Sequence, residues 1–505
     1  MRWRRVLRPE ILIPLLAIAM RVLPGPRVID DAYIIFRYAQ NLLAGNGFVF
    51  NPGEPVFGIT TPLFGALVAL LGLVSGGTQA PFPALALGVN TLADAATCWV
   101  LIGLGRKLER PTAGILTALL WAVAPMAVTF AIGGMETSVF ILLMTATLYF
   151  HSSRRPVAAA ACAGLSLVTR PDAVILIGLL AAERARQTWK RRTGHDYPPV
   201  RLTEIAALLA PAVFWAGLAW WVYGSPLPQS IVAKSVAYHL PREAGFVRLL
   251  QNFATPFLED QVFGPTAIAF GLVAYLLLFA LGTLDSVRRK PESWPTFAYP
   301  AAYFVAFSVG NPLIFRWYLA PPLPMFLLGI FLGVVRIAGD LRRPALAWVF
   351  GAAAVLLSLN GWTLHPDNGP ARPAPDMAFV GLEQIYTDIG RQLRGVVRPG
   401  EVVAAGDIGA IGFFSQARIL DLLGLTSPQV VGYYPLPAES YVINFAVSPQ
   451  AIEDLRPDYV VVLEVYGRRT ILTDPAFLKA YQLIETIPTD LYGSHGMLIF
   501  HRTSP

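Results

Sequence analysis

Charged residues are scarce in this sequence. Only 14% of its 505 residues are Asp, Glu, Lys or Arg, and 55% are hydrophobic, whereas a typical soluble domain is about 25% charged. A soluble protein of this size could not cover its surface with so few charges. The composition therefore excludes a cytosolic enzyme, a disordered chain and a nucleic-acid-binding protein.

Cysteine is almost absent. The two cysteines, Cys98 and Cys162, each lie inside an apolar block. Two such residues cannot build a disulfide framework or a zinc site. We expect both to pack as small hydrophobic side chains, which is a common role for free cysteine.

Negative charge is scarce in the first part of the chain. Residues 1–362 carry 29 Lys and Arg against 17 Asp and Glu, a balance of +12. Residues 363–505 carry 10 against 15, a balance of −5, and the two balances give the net charge of +7. Because Lys and Arg collect in cytoplasmic loops, the basic excess reports membrane topology and not a polyanionic ligand.

The apolar blocks predict a polytopic α-helical membrane protein. If the six clusters of Lys and Arg are all cytoplasmic, an even number of crossings must separate neighbouring clusters. Three blocks lie between the first two clusters, so we assign block 57–75 to a horizontal or re-entrant segment. This leaves about eleven crossings, with the N-terminus inside and the C-terminus outside. The blocks fall near 9–24, 57–75, 82–104, 112–132, 137–151, 156–169, 172–182, 203–223, 264–284, 297–311, 317–335 and 344–362.

The domain organisation follows from these blocks. We predict a membrane domain over 1–362, with a first outer loop at 25–56 and a second long outer loop at 224–263. A Pro-rich linker at 363–376 leads to an extracytoplasmic α/β domain at 377–505. Buried parallel strands are predicted at 401–406, 418–422 and 459–463, a late edge strand at 497–502, and helices at 377–396 and 448–455.

Two adjacent carboxylates stand in the first outer loop. Asp30 and Asp31 follow a membrane helix, and Arg37 lies two helical turns further on. Successive helical residues point about 100° apart, so one carboxylate can face a site while the other holds it. An ionisable residue near the membrane is a functional candidate. The alternative is a helix N-cap with a solvated carboxylate beside it.

This loop resembles that of a known family. The stretch 30–64 resembles the first outer loop of polyprenyl-phosphate-dependent, GT-C-type glycosyltransferases, closest to the branch containing cell-wall arabinofuranosyltransferases. It has the Asp-Asp-Ala-Tyr start, the Phe-Arg-Tyr run and the Gly-x-Gly-x-Val-Phe-Asn-Pro-Gly-Glu run, but Phe64 stands where the family has Trp. Further matches follow at Gly134–Thr137, Thr169–Asp172, Pro228–Lys234, Arg316–Pro321 and Gly406–Leu425.

The resemblance implies a GT-C-like fold in a bacterial cytoplasmic membrane. It also implies an enzyme that moves a sugar, with arabinofuranose as the first choice, from polyprenyl phosphate to a cell-envelope glycan or glycolipid, with inversion. Such a reaction needs a carboxylate base, cations around the phosphate and an apolar groove for the lipid. The base is predicted to be Asp30 or Asp31, and the family pattern favours Asp30. Phosphate contacts are predicted at Arg316, Tyr318, Lys234 and Arg37, and residues that bind the acceptor or support these groups at Glu136, Arg170 and Tyr33.

Several alternatives stay open at this point. Glu136 could cap the helix that begins at Thr137, and Arg170 could merely pair with Asp172. A divalent cation bridging Asp30 and the donor phosphate is compatible with the sequence. The same chemistry could move a hexose or aminosugar onto protein or lipid. A polyprenyl-lipid transporter or flippase would instead predict an internal repeat, which the sequence does not show.

Overall fold

The structure is a computed structural model that describes residues 8–257, 264–365 and 372–503. Its contacts divide the chain into two compact units, which we call the helical unit and the sheet unit. The helical unit comprises 1–27, 86–214 and 242–379, and the sheet unit comprises 28–85, 215–241 and 380–505. This grouping differs from the predicted division at 363–376, because most of the first loop packs with the C-terminal residues.

The first two thirds of the chain is α-helical. Pro stands at or near the start of many of these helices, where its missing N–H costs nothing. The helices are α1 Pro9–Val22, α2 Asp30–Leu43, α3 Pro62–Val74, α4 Phe82–Lys107, α5 Pro111–Val123, α6 Pro125–Ile132, α7 Thr137–Ser152, α8 Pro156–Leu167, α9 Ala173–Arg192, α10 Leu202–Tyr223, α11 Gln229–Ala237, α12 Ala244–Ala254, α13 Gly264–Arg289, α14 Trp294–Gly310, α15 Leu323–Asp340 and α16 Ala345–Leu359.

The predicted eleven crossings are not confirmed. In the part of the chain that the structure describes, four helices are long and apolar enough to cross a membrane, namely α4, α10, α13 and α15. Pro125 breaks the predicted block 112–132 into α5 and α6, which meet at 52° and would together make a fifth span. Most of the other predicted blocks form apolar helices of 10–17 residues, such as α7, α8 and α16. Block 172–182 begins the 20-residue α9, whose last turn is basic. Block 57–75 holds only the 13-residue α3.

Close contact between α13 and α15 organises the helical unit. A Cβ atom on Gly282 would lie 2.0 Å from the carbonyl oxygen of Gly329, and one on Gly333 would lie 2.1 Å from that of Leu278. Small residues at such crossings let helix backbones approach closely, as is typical in membranes. The outward side chains of α13 include Phe270, which is 64% exposed, as expected for a helix that faces lipid.

The predicted linker at 363–376 is anchored at both ends. Strands β1, Trp362–Thr363, and β2, Ala374–Pro375, pair antiparallel, with Trp362 opposite Pro375. The indole of Trp362 donates to the carbonyl oxygen of Val123 at 3.1 Å. Residues 366–371 of the linker lie outside the described residues.

A five-stranded sheet forms the core of the sheet unit, in the order β4-β3-β5-β7-β6. The strands are β3 Val402–Ala405, β4 Arg418–Asp421, β5 Tyr459–Leu463, β6 Tyr481–Ile487 and β7 Met497–Arg502. Strand β3 pairs in parallel with β4 and β5, as the buried apolar runs predict. The prediction of an edge position for 497–502 is wrong: β7 is buried between β5 and β6. The edge strand on this side of the sheet is β6, which the sequence analysis missed because its side chains are mostly exposed.

Short helices complete the sheet unit. The predicted helix 377–396 begins at Gly381, because Asp376–Ala378 forms a 3-10 turn. The predicted helix 448–455 begins at Pro449, where the Ser448 hydroxyl accepts the N–H of Ala451. The helices are α17 Gly381–Val396, α18 Gly409–Ser415, α19 Pro449–Leu455, α20 Glu464–Gly467 and α21 Pro475–Ala480.

Candidate active site

Asp30 holds the first loop to the C-terminal domain. It is the first residue of α2, where the helix dipole favours negative charge. Its Oδ2 accepts the N–H of Gly409 at 2.9 Å and its Oδ1 accepts that of Ala410 at 2.7 Å. The residue is only 8% exposed. Burial raises the pKa of Asp30 well above its usual range, with help from Asp407 and Asp31 and against the two N–H groups.

Asp31 is arranged differently from its neighbour. Its side chain is 30% exposed, and its Oδ2 lies 3.8 Å from the Nζ of Lys234 on α11. The structure thus brings one predicted base and one predicted phosphate contact together. Of the two adjacent carboxylates, Asp31 is the one with surface open to a substrate.

A third carboxylate, that of Asp407, lies near Asp30 and Asp31. It is not among the predicted site residues. It follows β3, and its Oδ2 accepts a hydrogen bond from the Tyr386 hydroxyl at 2.5 Å. Burial raises the pKa of Asp407 to about 6; the Tyr386 hydrogen bond opposes this rise, and the charges of Asp31 and Asp421 add to it. The signal was present in the sequence, because the Gly406-Asp407 motif matched the family and ends a predicted strand.

Aromatic side chains lie beside the three carboxylates. The Phe445 ring lies 6.3 Å from that of Tyr238 and 5.3 Å from that of Tyr466. Burial raises the pKa of both tyrosines well above the usual range; Asp31 and Asp407 add to this for Tyr238, and Asp407 adds for Tyr466. Sequence analysis missed this cluster because its members come from three distant segments.

Arg37 is occupied by the protein itself. Its Nε donates to the carbonyl oxygen of Phe50 at 2.7 Å, its Nη2 to that of Ala417 at 2.7 Å, and its Nη1 to that of Gly412. The residue is 2% exposed, and burial lowers its pKa to about 9. Arg37 thus joins the first loop to the C-terminal domain. Its contact with phosphate stays a prediction.

Tyr33 also packs inside the sheet unit. Its ring lies 5.4 Å from Phe413 and 5.2 Å from Phe414, two residues of α18, and 5.7 Å from Phe36. With 9% exposure, the ring is part of the core that supports Asp30. Its part in acceptor binding stays a prediction.

Three predicted residues meet in the helical unit. Arg170 lies between two carboxylates: its Nη1 is 3.3 Å from Glu136 Oε1, and its Nε is 2.9 Å from Asp172 Oδ1. Its guanidinium stacks on the ring of Tyr318, 4.8 Å from the centroid. Glu136 is the N-cap residue of α7, but its side chain makes no capping hydrogen bond. Its carboxylate is paired with Arg170 instead.

Arg316 lines a cavity of about 390 Å³ inside the helical unit. Its Nη1 donates to the carbonyl oxygen of Met377 at 2.9 Å, and its guanidinium lies 4.5 Å from the centre of the Phe379 ring. A second guanidinium, from Arg248, lines the same cavity. Apolar walls include Leu319, Leu323 and Leu327.

The carboxylates do not form a recognisable metal site. Among the described residues, no group of three or more His, Cys, Asp or Glu is placed to hold a cation. Both Asp30 oxygens already accept backbone N–H groups, whereas a divalent cation needs several free oxygen ligands. The residues present do not fit a cation at Asp30, and we derive no step through one.

Comparisons with known proteins agree with the fold. A family profile described as a domain of unknown function (DUF8728) matches residues 378–500. The terminal β-(1→2)-arabinofuranosyltransferase of Mycobacterium tuberculosis is 28% identical over 386 residues, which is 68% of this chain and 58% of that protein. The chain thus covers less than two thirds of this relative's length.

Two solved structures share the architecture. The oligosaccharyltransferase of Archaeoglobus fulgidus, in complex with Zn and sulfate, has a TM-score of 0.57 at 12% identity, covering 98% of this chain and 73% of that one. ArnT from Cupriavidus metallidurans, bound to undecaprenyl phosphate, has a TM-score of 0.56 at 12% identity, covering 97% and 96%. This chain is a multi-pass membrane protein with the GT-C fold. Its sequence is similar to that of an arabinofuranosyltransferase, which confirms the resemblance found in its motifs.

Proposed function

We propose that this protein is a membrane glycosyltransferase that moves a sugar, arabinofuranose in the first instance, from polyprenyl phosphate to a cell-envelope glycan or glycolipid. The named activity of the mycobacterial relative supports the sugar, and the undecaprenyl phosphate bound to ArnT supports the lipid. The carrying observation is Asp31, a partly exposed carboxylate that lies beside an ammonium group, the buried carboxylate of Asp30 and the half-buried carboxylate of Asp407.

Asp31 is the base in this proposal. Its carboxylate takes the proton of the acceptor hydroxyl while that oxygen bonds to the anomeric carbon of the donor. The bond from the anomeric carbon to the phosphate oxygen breaks, and its electron pair leaves with the phosphate. Attack opposite the leaving group inverts the anomeric centre. Asp30 is not the base in this proposal, because both of its oxygens already accept backbone N–H groups.

Lys234 acts on the acceptor side of this reaction. In an inverting displacement the base and the leaving phosphate lie on opposite faces of the sugar. An ammonium group 3.8 Å from the base is therefore placed to orient Asp31, which differs from the predicted phosphate contact. Arg316 stays a predicted phosphate contact, because a guanidinium can bind two phosphate oxygens at once.

Sugar transfer by purified protein in nanodiscs tests this proposal. The donors are polyprenyl monophosphates that carry arabinofuranose, a hexose or an aminosugar, and the acceptor is an arabinofuranosyl oligosaccharide. We expect transfer from the arabinofuranosyl donor. Asp31→Asn should lower kcat by roughly 10²–10⁴-fold, the usual contribution of a general base. Donor binding should persist in this variant.

The neighbouring variant Asp30→Asn is the matched comparison. We expect it to lower the melting temperature while the folded fraction retains transfer. Full transfer in Asp31→Asn would refute the base assignment. Loss of transfer in a folded, donor-binding Asp30→Asn protein would move the base to Asp30. Movement of the lipid across the bilayer without any sugar transfer would favour the transporter alternative.

A further inference from the structure

The parallel half of the sheet ends at a set of polar residues. Asp407 follows β3, Asp421 is the last residue of β4, and Tyr466 lies just after β5. Strands β3, β4 and β5 run in parallel, so these residues all lie at the carboxyl ends of the strands, on the same side of the sheet. Ligands of open parallel sheets bind at the carboxyl ends of the strands. Asp30 and Asp31 also lie at these carboxyl ends, since Asp30 accepts hydrogen bonds from the start of α18.

Asp421 cannot bind a ligand at these strand ends. It is fully buried, and its two oxygens accept the N–H groups of Leu423, Gly424 and Thr426. These bonds close the loop after β4. The carboxylate is therefore committed to the protein.

Asp407 is committed at one oxygen only. Its Oδ2 accepts the Tyr386 hydroxyl. Within residues 8–257, 264–365 and 372–503, the structure gives its Oδ1 no hydrogen-bond partner, and the residue is partly exposed. A carboxylate oxygen can only accept hydrogen bonds, so a fitting ligand must bring a donor such as a hydroxyl group.

The surface beside Asp407 is aromatic. A Cβ atom on Gly406 would meet ring carbons of Phe445 at 3.5 Å and of Tyr466 at 3.9 Å. Tyr238, Tyr466 and Asp31 are all partly exposed around Phe445 and Asp407. Rings with a polar tip suit a ligand that has both C–H surfaces and hydroxyl groups. A sugar has both.

We propose that Asp407, Tyr238 and Tyr466 form the subsite for the acceptor sugar, beside the base Asp31. Oδ1 of Asp407 accepts one hydroxyl of this sugar, the tyrosine rings pack against its C–H groups, and Asp31 receives the proton of the reacting hydroxyl. The inference rests on the proposed function. It makes the C-terminal domain a component of the active site, one that selects the acceptor.

Acceptor binding without a donor tests the subsite. Wild-type protein in nanodiscs is titrated with an arabinofuranosyl oligosaccharide, and with a mannosyl oligosaccharide for comparison. We expect Asp407→Asn and Tyr466→Leu each to weaken arabinofuranosyl binding by about tenfold, which is about 1.4 kcal/mol. In the transfer assay the acceptor KM should rise to a similar extent, while the donor KM stays unchanged.

Asp454→Asn is the matched control. Asp454 also accepts a tyrosine hydroxyl, that of Tyr433 at 2.9 Å, but on an exposed surface of the same unit. This variant should bind the acceptor as wild type does. If Asp407→Asn fails to fold, acceptor binding is measured in Tyr466→Leu and Tyr238→Leu instead.

Two results would overturn the subsite. One is unchanged acceptor affinity in folded variants of an active enzyme, which would leave the proposed function standing. The other is a raised donor KM with an unchanged acceptor KM, which would make Asp407 a donor contact. Weakened acceptor binding in a protein that transfers no sugar would support the subsite and count against the proposed function.

Discussion

Two clusters of charged side chains in this protein are built in different ways. In the helical unit, Arg170 lies between the carboxylates of Glu136 and Asp172. In the sheet unit, Asp30, Asp31 and Asp407 lie near one another, and the ammonium group of Lys234 lies 3.8 Å from Asp31. The first cluster sets one cation against two carboxylates, whereas the second sets one cation against three and holds the larger excess of negative charge.

This difference indicates a structural role for the first cluster and a chemical role for the second. A buried charge is tolerated when a partner of opposite sign and hydrogen bonds satisfy it. Neighbouring carboxylates that raise one another's pKa are costly to stability, and such arrangements collect at functional sites. The sequence ranked Glu136 and Arg170 with the site residues. Their geometry instead suits a brace that joins the starts of α7 and α9.

Breaking the Arg170 cluster should have the largest effect on stability. Arg170→Met removes the cation between two buried carboxylates, so we expect a loss of about 3–5 kcal/mol in the free energy of unfolding. Arg391→Gln is the control, because the Arg391–Asp388 pair is exposed and should contribute at most about 1 kcal/mol. Denaturant unfolding in detergent measures both. Equal losses in the two variants would contradict the brace.

The docking of Asp30 can be broken without removing a charge. A Cβ atom on Gly409 would lie 1.9 Å from the carbonyl oxygen of Asp30, so Gly409→Ala must push α2 away from α18. We expect a loss of about 1–3 kcal/mol, the usual cost of overpacking, together with reduced transfer. Gly395→Ala on α17 meets no atom within 4 Å and should stabilise by up to about 1 kcal/mol. A thermal shift of the same sign in both variants would refute the contact.

The acid-rich cluster should make stability fall as pH rises. The pKa of Asp407 is about 6 in the folded protein, above the ordinary value near 3.9. The folded state therefore binds this proton more tightly than the unfolded state, and the stabilisation is lost as pH rises from about 4 to beyond 6. Asp30 and Asp421 are shifted the same way.

We accordingly expect a lower melting temperature at pH 7.5 than at pH 5. Asp407→Asn removes one of the contributing carboxyl groups, so its difference between the two pH values should be smaller, by a few degrees at most. Asp454→Asn, on the exposed surface, should keep the wild-type difference. An unchanged difference in Asp407→Asn would show that the surroundings do not hold the proton on this group.

Prediction succeeded where the signal is local. The strand at 459–463 and the break at Arg170-Pro171-Asp172 follow from apolar runs and from proline. The spans were harder to predict, because composition marks an apolar block but not whether a Pro or Gly inside it starts a new helix. Strand order was also hidden: β7 is interior only because β6, with few buried side chains, pairs along its other side.

The sequence by itself determined the membrane class, the GT-C resemblance and the presence of two adjacent carboxylates in the first loop, because apolar blocks and short motifs are local properties. Only the tertiary structure showed that the surroundings of Asp30 and Asp31 differ and that Arg37 donates to backbone carbonyl groups. It also added Asp407 to the cluster. Asp407 lies 377 residues from Asp30 in the chain. Burial and pairing depend on which distant segments pack together, and no spacing along the sequence encodes that directly.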